Sequence, residues 1–199
     1  LVSLEMRPGG TPRTVTRFFW GKQMSQLMAL SISIAVLGGI WAFIALGPLS
    51  GFALVWVGFI AWGCFFHSGG DTKALTKTIA GTVYGAIIGW IALMIIVNVP
   101  VPSLGTVWPA LVVAATVFCL VIVASIDLLS IVPANVYGYA AIVGYVLSKG
   151  ATGDLSVAAI GNPLIMIIIS LVLGALFGYA SAQLASMLKS KMMSAHPAE

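Results

Sequence analysis

Apolar residues run through this chain in six blocks, separated by short stretches of Gly, Pro, Ser and charge, and each block predicts a membrane-crossing helix. The blocks cover about 27–46, 51–66, 78–97, 107–126, 133–148 and 163–188. Gly47-Pro48 stops the first. The two prolines of Asn98-Val-Pro-Val-Pro102 stop the third, because proline lacks a donor and forces its neighbour into an extended conformation. The second block is short, roughly 24 Å as a helix against a hydrocarbon core of roughly 30 Å. Gly51, Gly58 and Gly63 interrupt it, Trp56 and Trp62 lie within it, and it ends in His67-Ser68-Gly69-Gly70-Asp71.

The fifth block repeats this design 81 residues later, pairing Ala53 with Ala134, Trp56 with Tyr137, Gly63 with Gly144 and Gly69 with Gly150. The echo continues at an offset of 89, where Gly85, Gly89 and Trp90 meet Gly174, Gly178 and Tyr179. Three spans per copy is an odd number, so the copies lie upside down relative to one another. The expected fold is an all-α polytopic membrane protein with six transmembrane helices, built as an inverted three-plus-three repeat with halves of about 24–100 and 101–188. Short, Gly-interrupted segments at matching places in two halves are the sequence mark of a solute path. Gly81, Gly85 and Gly89 share one helix face, as do Gly174 and Gly178, and such faces let helix backbones approach in lipid.

Composition agrees with this pattern. With 60% hydrophobic and 7% charged residues and a mean hydropathy of +1.11, the chain cannot cover itself with a water-facing surface. Its excess of basic residues is a topology signal and not a nucleic-acid footprint. With both termini cytoplasmic, Arg7, Arg13, Arg17, Lys22, Lys73, Lys77, Lys189 and Lys191 lie inside and only Lys149 outside, as the positive-inside rule requires. Residues 1–23 then read as a basic cytoplasmic tail with Phe18-Phe19-Trp20 at the headgroups, and 189–199 as a second tail carrying His196. Cys64 and Cys119 lie in apolar runs without metal-ligand spacing and read as small buried residues.

Several short motifs resemble a family of small bacterial inner-membrane proteins known as domain-of-unknown-function family 1097. They are Ser31-Ile-Ser-Ile34 with Gly39-Ile-Trp41, Gly69-Gly70 with Leu75, Ser130-Ile-Val-Pro133, and Leu173-Gly-Ala-Leu-Phe-Gly-Tyr-Ala180. The resemblance covers about residues 27–185 and implies a bacterial cytoplasmic membrane and six spans. It brings no substrate and no site residues.

The chemistry must therefore come from the residues. His67 and Ser68 are neighbours and diverge on a helix, and no GxSxG or HExxH occurs, so no catalytic residue, metal site or cofactor is expected and the chain is read as a non-enzyme. Gly69-Gly70 favours a break after the second block, with Asp71 capping the next helix. His67, Ser68 and Asp71 then form a gating or capping cluster at a cytoplasmic mouth. No Asp, Glu, Lys or Arg lies inside an apolar block, which disfavours charged substrates. Trp56, Trp62, His67, Asn135, Tyr137 and Tyr145 are the expected lining of a path between the second and fifth spans. The expected function is a channel or facilitator for a small uncharged polar solute, urea- or amide-like, working as a homo-oligomer in the lipid bilayer without nucleic acid. Alternatives are a proton-coupled transporter using His67, Asp71 or Asp127, and a scaffold that moves nothing.

Overall fold

The computed structural model describes residues 17–157 and 161–194, with side chains over 26–157 and 161–190. The first sixteen residues of the expected basic tail and His196 lie outside the described residues, as do the side chains of Phe18, Phe19 and Trp20. Six α-helices follow in order: α1 Arg17–Leu46, α2 Val55–His67, α3 Thr72–Asn98, α4 Val107–Ile122, α5 Val132–Lys149 and α6 Pro163–Ser194. No strand occurs among the described residues.

Among the described residues, four helices are long and apolar enough to cross a membrane: Gln26–Leu46 of α1, α3, Val107–Ser125 at α4, and Pro163–Ser190 of α6. The expected six blocks are thus all helical, but α2, at 13 residues, and α5 fall outside that set.

Several boundaries differ from the sequence reading for physical reasons. Helix α1 is helical from the first described residue, Arg17, beyond the apolar block that begins near Leu27, since polar helix formers prolong a helix past its apolar part. Helix α2 starts at Val55, because Gly51 turns with a φ of 85°. Helix α3 starts at Thr72, where the Asp71 carboxylate accepts the Ala74 N–H at 2.7 Å, as expected of an N-cap. Helix α4 stops at Ile122 and tightens into a 3₁₀ turn over Val123–Ser125, followed by another over Asp127–Leu129. Hydroxyls compete for the backbone there: Ser125 donates to Ile122 O at 3.2 Å and Ser130 to Asp127 O at 2.7 Å, which draws a chain out of helix.

Tertiary contacts divide the chain into a larger unit, Leu37–Ala180, and a smaller one of Leu1–Val36 with Ser181–Glu199. In the smaller unit Ala29, Ser33 and Ser181 are buried, and Lys189 donates to the Gln26 side chain at 3.1 Å.

The larger unit is held by two close helix pairs. A Cβ at Gly85 of α3 would overlap the carbonyl oxygen of Asn135, and one at Gly138 of α5 would overlap that of Thr82. One turn to either side, Gly81 faces Ala134 and Asn135, and Gly89 faces Tyr139 and Ile142. Partner numbers rise together, so α3 and α5 run parallel. Helices α6 and α2 repeat the arrangement: the Ser170 hydroxyl accepts the Leu54 N–H at 2.8 Å, Gly174 abuts the Gly58 backbone, and Gly178 meets Trp62 and Phe65. This pair is also parallel. The glycine faces therefore do what small residues do in lipid, allowing backbones to touch where no hydrophobic force draws helices together. Between the pairs lies a closed apolar core containing Val57, Ala61, Ala86, Ala141, Ile142 and Leu171.

Candidate functional site

The last carbonyls of a helix have no N–H one turn on to continue the helical pattern, and such groups in a membrane must be satisfied by protein or water. Two side chains meet those of α4. The Tyr84 hydroxyl of α3 donates to Cys119 O at 3.0 Å. The Asn135 amide of α5 donates through Nδ2 to Leu120 O at 3.3 Å and to Leu129 O at 3.1 Å. Two carbonyls facing one end of the amide fix its orientation, since a flip would set oxygen against oxygen. Its other atom, Oδ1, is buried and accepts no hydrogen bond, facing α3 at Gly81, where a Cβ would lie 2.8 Å away.

One turn further along α5, the buried Tyr139 hydroxyl lies 3.1 Å from Thr116 Oγ1 of α4. Thr116 turns its own proton towards Val112 O, 2.8 Å away, which leaves Tyr139 as the donor across the helix interface. Beyond Thr116 a groove of about 350 Å³ opens between α3 and α4, lined by Ile95, Trp108, Leu111, Val112, Ala115 and Thr116. The Trp108 Nε1 hydrogen is buried without an acceptor. At the opposite end, Thr72, Lys73, Thr76, Lys77, Asp127 and Leu128 line a second cavity of about 340 Å³. From Lys77 to Ile95, α3 rises roughly 27 Å, close to the thickness of a hydrocarbon core. A seam with a cavity at each end and neutral polar groups between them thus follows α3 and α5 beneath α4.

An ion pair bounds the seam. Lys77 Nζ lies 2.6 Å from Asp127 Oδ1 and also donates to Ser130 Oγ at 3.1 Å. The hydrogen bond and charge of Lys77, with a smaller contribution from Lys73, hold the Asp127 carboxyl below the usual carboxylate range.

The expected lining residues do not converge on one passage. Trp56 is 44% exposed. Trp62 is buried, stacked on Phe59 at a centroid distance of 5.6 Å and set beside Phe177. Tyr145 packs on the apolar core, Tyr137 is half-buried, and Asn135 faces α3 and α4. Val57, Ala61, Ala141 and Ile142 fill the interior that α2 and α5 share.

The cluster after α2 separates too. Ser68 donates to Cys64 O at 2.7 Å and lies 3.5 Å from Thr78 Oγ1, while Asp71 caps α3. His67 is exposed, and no hydrogen bond or ion pair joins it to Asp71 among the described residues. The sequence reading named Asn135 but missed Trp108 and Thr116, because α4 read as a plain apolar span. The signal was the run of Ser125, Asp127 and Ser130 at its end, which marks a helix that stops early.

Over residues 31–186 the chain matches a family described as "Protein of unknown function (DUF1097)", and it belongs to that family. No curated protein and no solved structure matches it.

Proposed function

We propose that this DUF1097 member crosses a bacterial cytoplasmic membrane six times, as an inverted three-plus-three repeat with both termini inside, and passes a small uncharged polar solute along the seam beneath α4. The observation that carries the reading is a row of buried neutral polar groups lying along α3 between two separate cavities. Two cavities and the intervening Asn135, Tyr139 and Thr116 follow a length of α3 that matches the membrane. Its inner polar groups are neutral, and neutral hydrogen-bonding groups suit solutes without charge.

The parallel pairs support the six crossings. Over Gly81 to Gly89, roughly 12 Å, α5 runs beside α3 and shares its depth. The same holds for α2 beside α6. In an alternating six-span chain the second and sixth spans run one way and the third and fifth the other, so both pairs must be parallel. The glycines that touch, Gly85 and Gly174, are also the positions matched between the halves. The bundle is small and α4 is little covered, with 11% of its span buried, which suits assembly of several copies.

Reconstituted vesicles test the function. Acetamide or urea flux measured by light scattering should exceed that of empty vesicles and should not change with an imposed proton gradient. A flux that follows the gradient would favour coupled transport, and none for any neutral solute would leave the scaffold reading. Topology is tested separately by cysteines at Lys73 and Gly153, which should label from opposite faces.

A further inference from the structure

We infer that the cavity beside the first turns of α3, bounded by Lys73, Lys77 and Leu128, binds the phosphate of an anionic phospholipid, whose acyl chains leave past Leu128. This goes beyond the solute reading and does not rest on it. It needs only that α3 crosses the membrane, whichever side its first turn faces.

Helix α3 has 27 residues, roughly 40 Å, against a hydrocarbon core of roughly 30 Å. About one turn therefore projects beyond the core at each end, to the level of the lipid headgroups. There Thr72, Lys73, Thr76, Lys77, Asp127 and Leu128 line a cavity of about 340 Å³. All of them except the half-buried Lys77 are exposed, so a ligand reaches the cavity without any movement of the fold.

The cavity carries two cations and one carboxylate. Lys77 is engaged by Asp127 at 2.6 Å and by Ser130 at 3.1 Å. Lys73 has no ion pair or hydrogen bond among the described residues, and Asp71, its neighbour in sequence, spends its Oδ1 on the Ala74 N–H. The helix itself gives no reason for the two lysines. Like charges at i and i+4 repel, and cations at the start of a helix oppose its dipole. The positive-inside rule asks for basic residues on one side of the membrane, but not for two on one helix face around a cavity. A bound anion relieves both penalties, and basic pockets between membrane helices at headgroup depth hold lipid phosphates in this way.

The apolar wall selects a lipid over a free phosphate ion. Leu128 lines the cavity and is 46% exposed, and Ile122 and Ile126, just before it in the chain, are exposed as well. Head and tail of a phospholipid each meet a surface of their own kind. Asp127 sets the affinity: it occupies Lys77 and repels phosphate, so Lys73 carries most of the attraction.

The test counts lipids bound to the full-length protein by native mass spectrometry, using dioctanoyl phosphatidylglycerol, dioctanoyl phosphatidylcholine and sodium phosphate. Phosphatidylglycerol should bind more tightly than phosphatidylcholine, whose headgroup brings its own cation, and sodium phosphate at equal concentration should not displace it. Lys73→Gln should weaken phosphatidylglycerol about fivefold, the equivalent of about 1 kcal/mol for one lysine at an anionic membrane surface, and Lys73→Arg should keep the affinity. Asp127→Asn should tighten binding by freeing Lys77. Lys149→Gln, the same change of charge at the exposed end of α5, should leave it unaltered. Melting without lipid shows which variants are folded, and if Lys73→Gln is not, Asp127→Asn decides from the opposite direction. Equal affinity for the two lipids, equal weakening by Lys149→Gln, or no tightening in Asp127→Asn overturns the site. Displacement by sodium phosphate overturns the lipid as its occupant.

Discussion

The α3–α5 and α2–α6 pairs use the same device and differ in what surrounds it. Both are parallel, and both bring backbones together at glycine. Around α2 and α6 the neighbours are rings: Trp41 packs against Gly58 and Phe177, and Trp62 stacks on Phe59. Ser170, a short polar group that bridges that pair, accepts from Leu54 N at 2.8 Å and donates to Met166 O at 2.7 Å. Around α3 and α5 the neighbours are Thr78, Thr82, Thr116 and Tyr139, and Asn135 keeps an unused acceptor. A close glycine contact is therefore scaffold in both pairs. Among the described residues, the buried acceptor left unspent lies beside the α3–α5 pair.

The largest effects should come from breaking the contacts. Gly85→Ala and Gly174→Ala should each lose about 1–3 kcal/mol or more, read as thermal unfolding in detergent, because the new methyl meets backbone. Gly144→Ala has nothing within 4 Å of its Cβ and should instead gain up to about 1 kcal/mol from helix propensity. Loss in only one of the two pairs would show that they are not equivalent.

A smaller effect separates scaffold from chemistry. Asn135→Leu strands the carbonyls of Leu120 and Leu129, and Ser170→Ala strands the Leu54 N–H. Each should cost about 1–3 kcal/mol, while amide flux falls in Asn135→Leu alone. Equal loss of flux in the two variants would refute the functional asymmetry.

The smallest effect belongs to the exposed Lys77–Asp127 pair. The Asp127 pKa is lowered in the fold, so its contribution is fully present above the ordinary carboxylate pKa and is lost as pH falls through the lowered value. The melting-temperature difference between wild type and Asp127→Asn should stay flat from about pH 5 to 8 and shrink below about pH 4. A difference that changes near neutral pH would point to a proton-coupled role.

Much of the fold was legible in the chain because membrane helices announce themselves by length and apolarity. All six blocks became helices, Asp71 capped α3, and the faces of Gly81, Gly85 and Gly89 and of Gly174 and Gly178 became close contacts. The site was less legible. Trp56, Trp62 and Tyr137 attracted notice as aromatic residues in interrupted segments, yet an aromatic ring packs, stacks or faces lipid according to its neighbours. Thr116 drew none, since a single hydroxyl in an apolar run is silent until its partner is known.

Local chemistry was enough to determine the helices, their caps and stops, and which faces carry glycine, since each follows from residues within a turn or two. Only the tertiary structure decided which faces meet, that α2 and α5 enclose a closed core, and that Asn135 joins the end of α4 with one oxygen unspent. Those facts depend on residues far apart in the chain, such as Gly81 and Asn135 or Leu54 and Ser170. The residue types around the end of α4 mark where it stops, but not which distant side chains, Tyr84 and Asn135, reach its carbonyls.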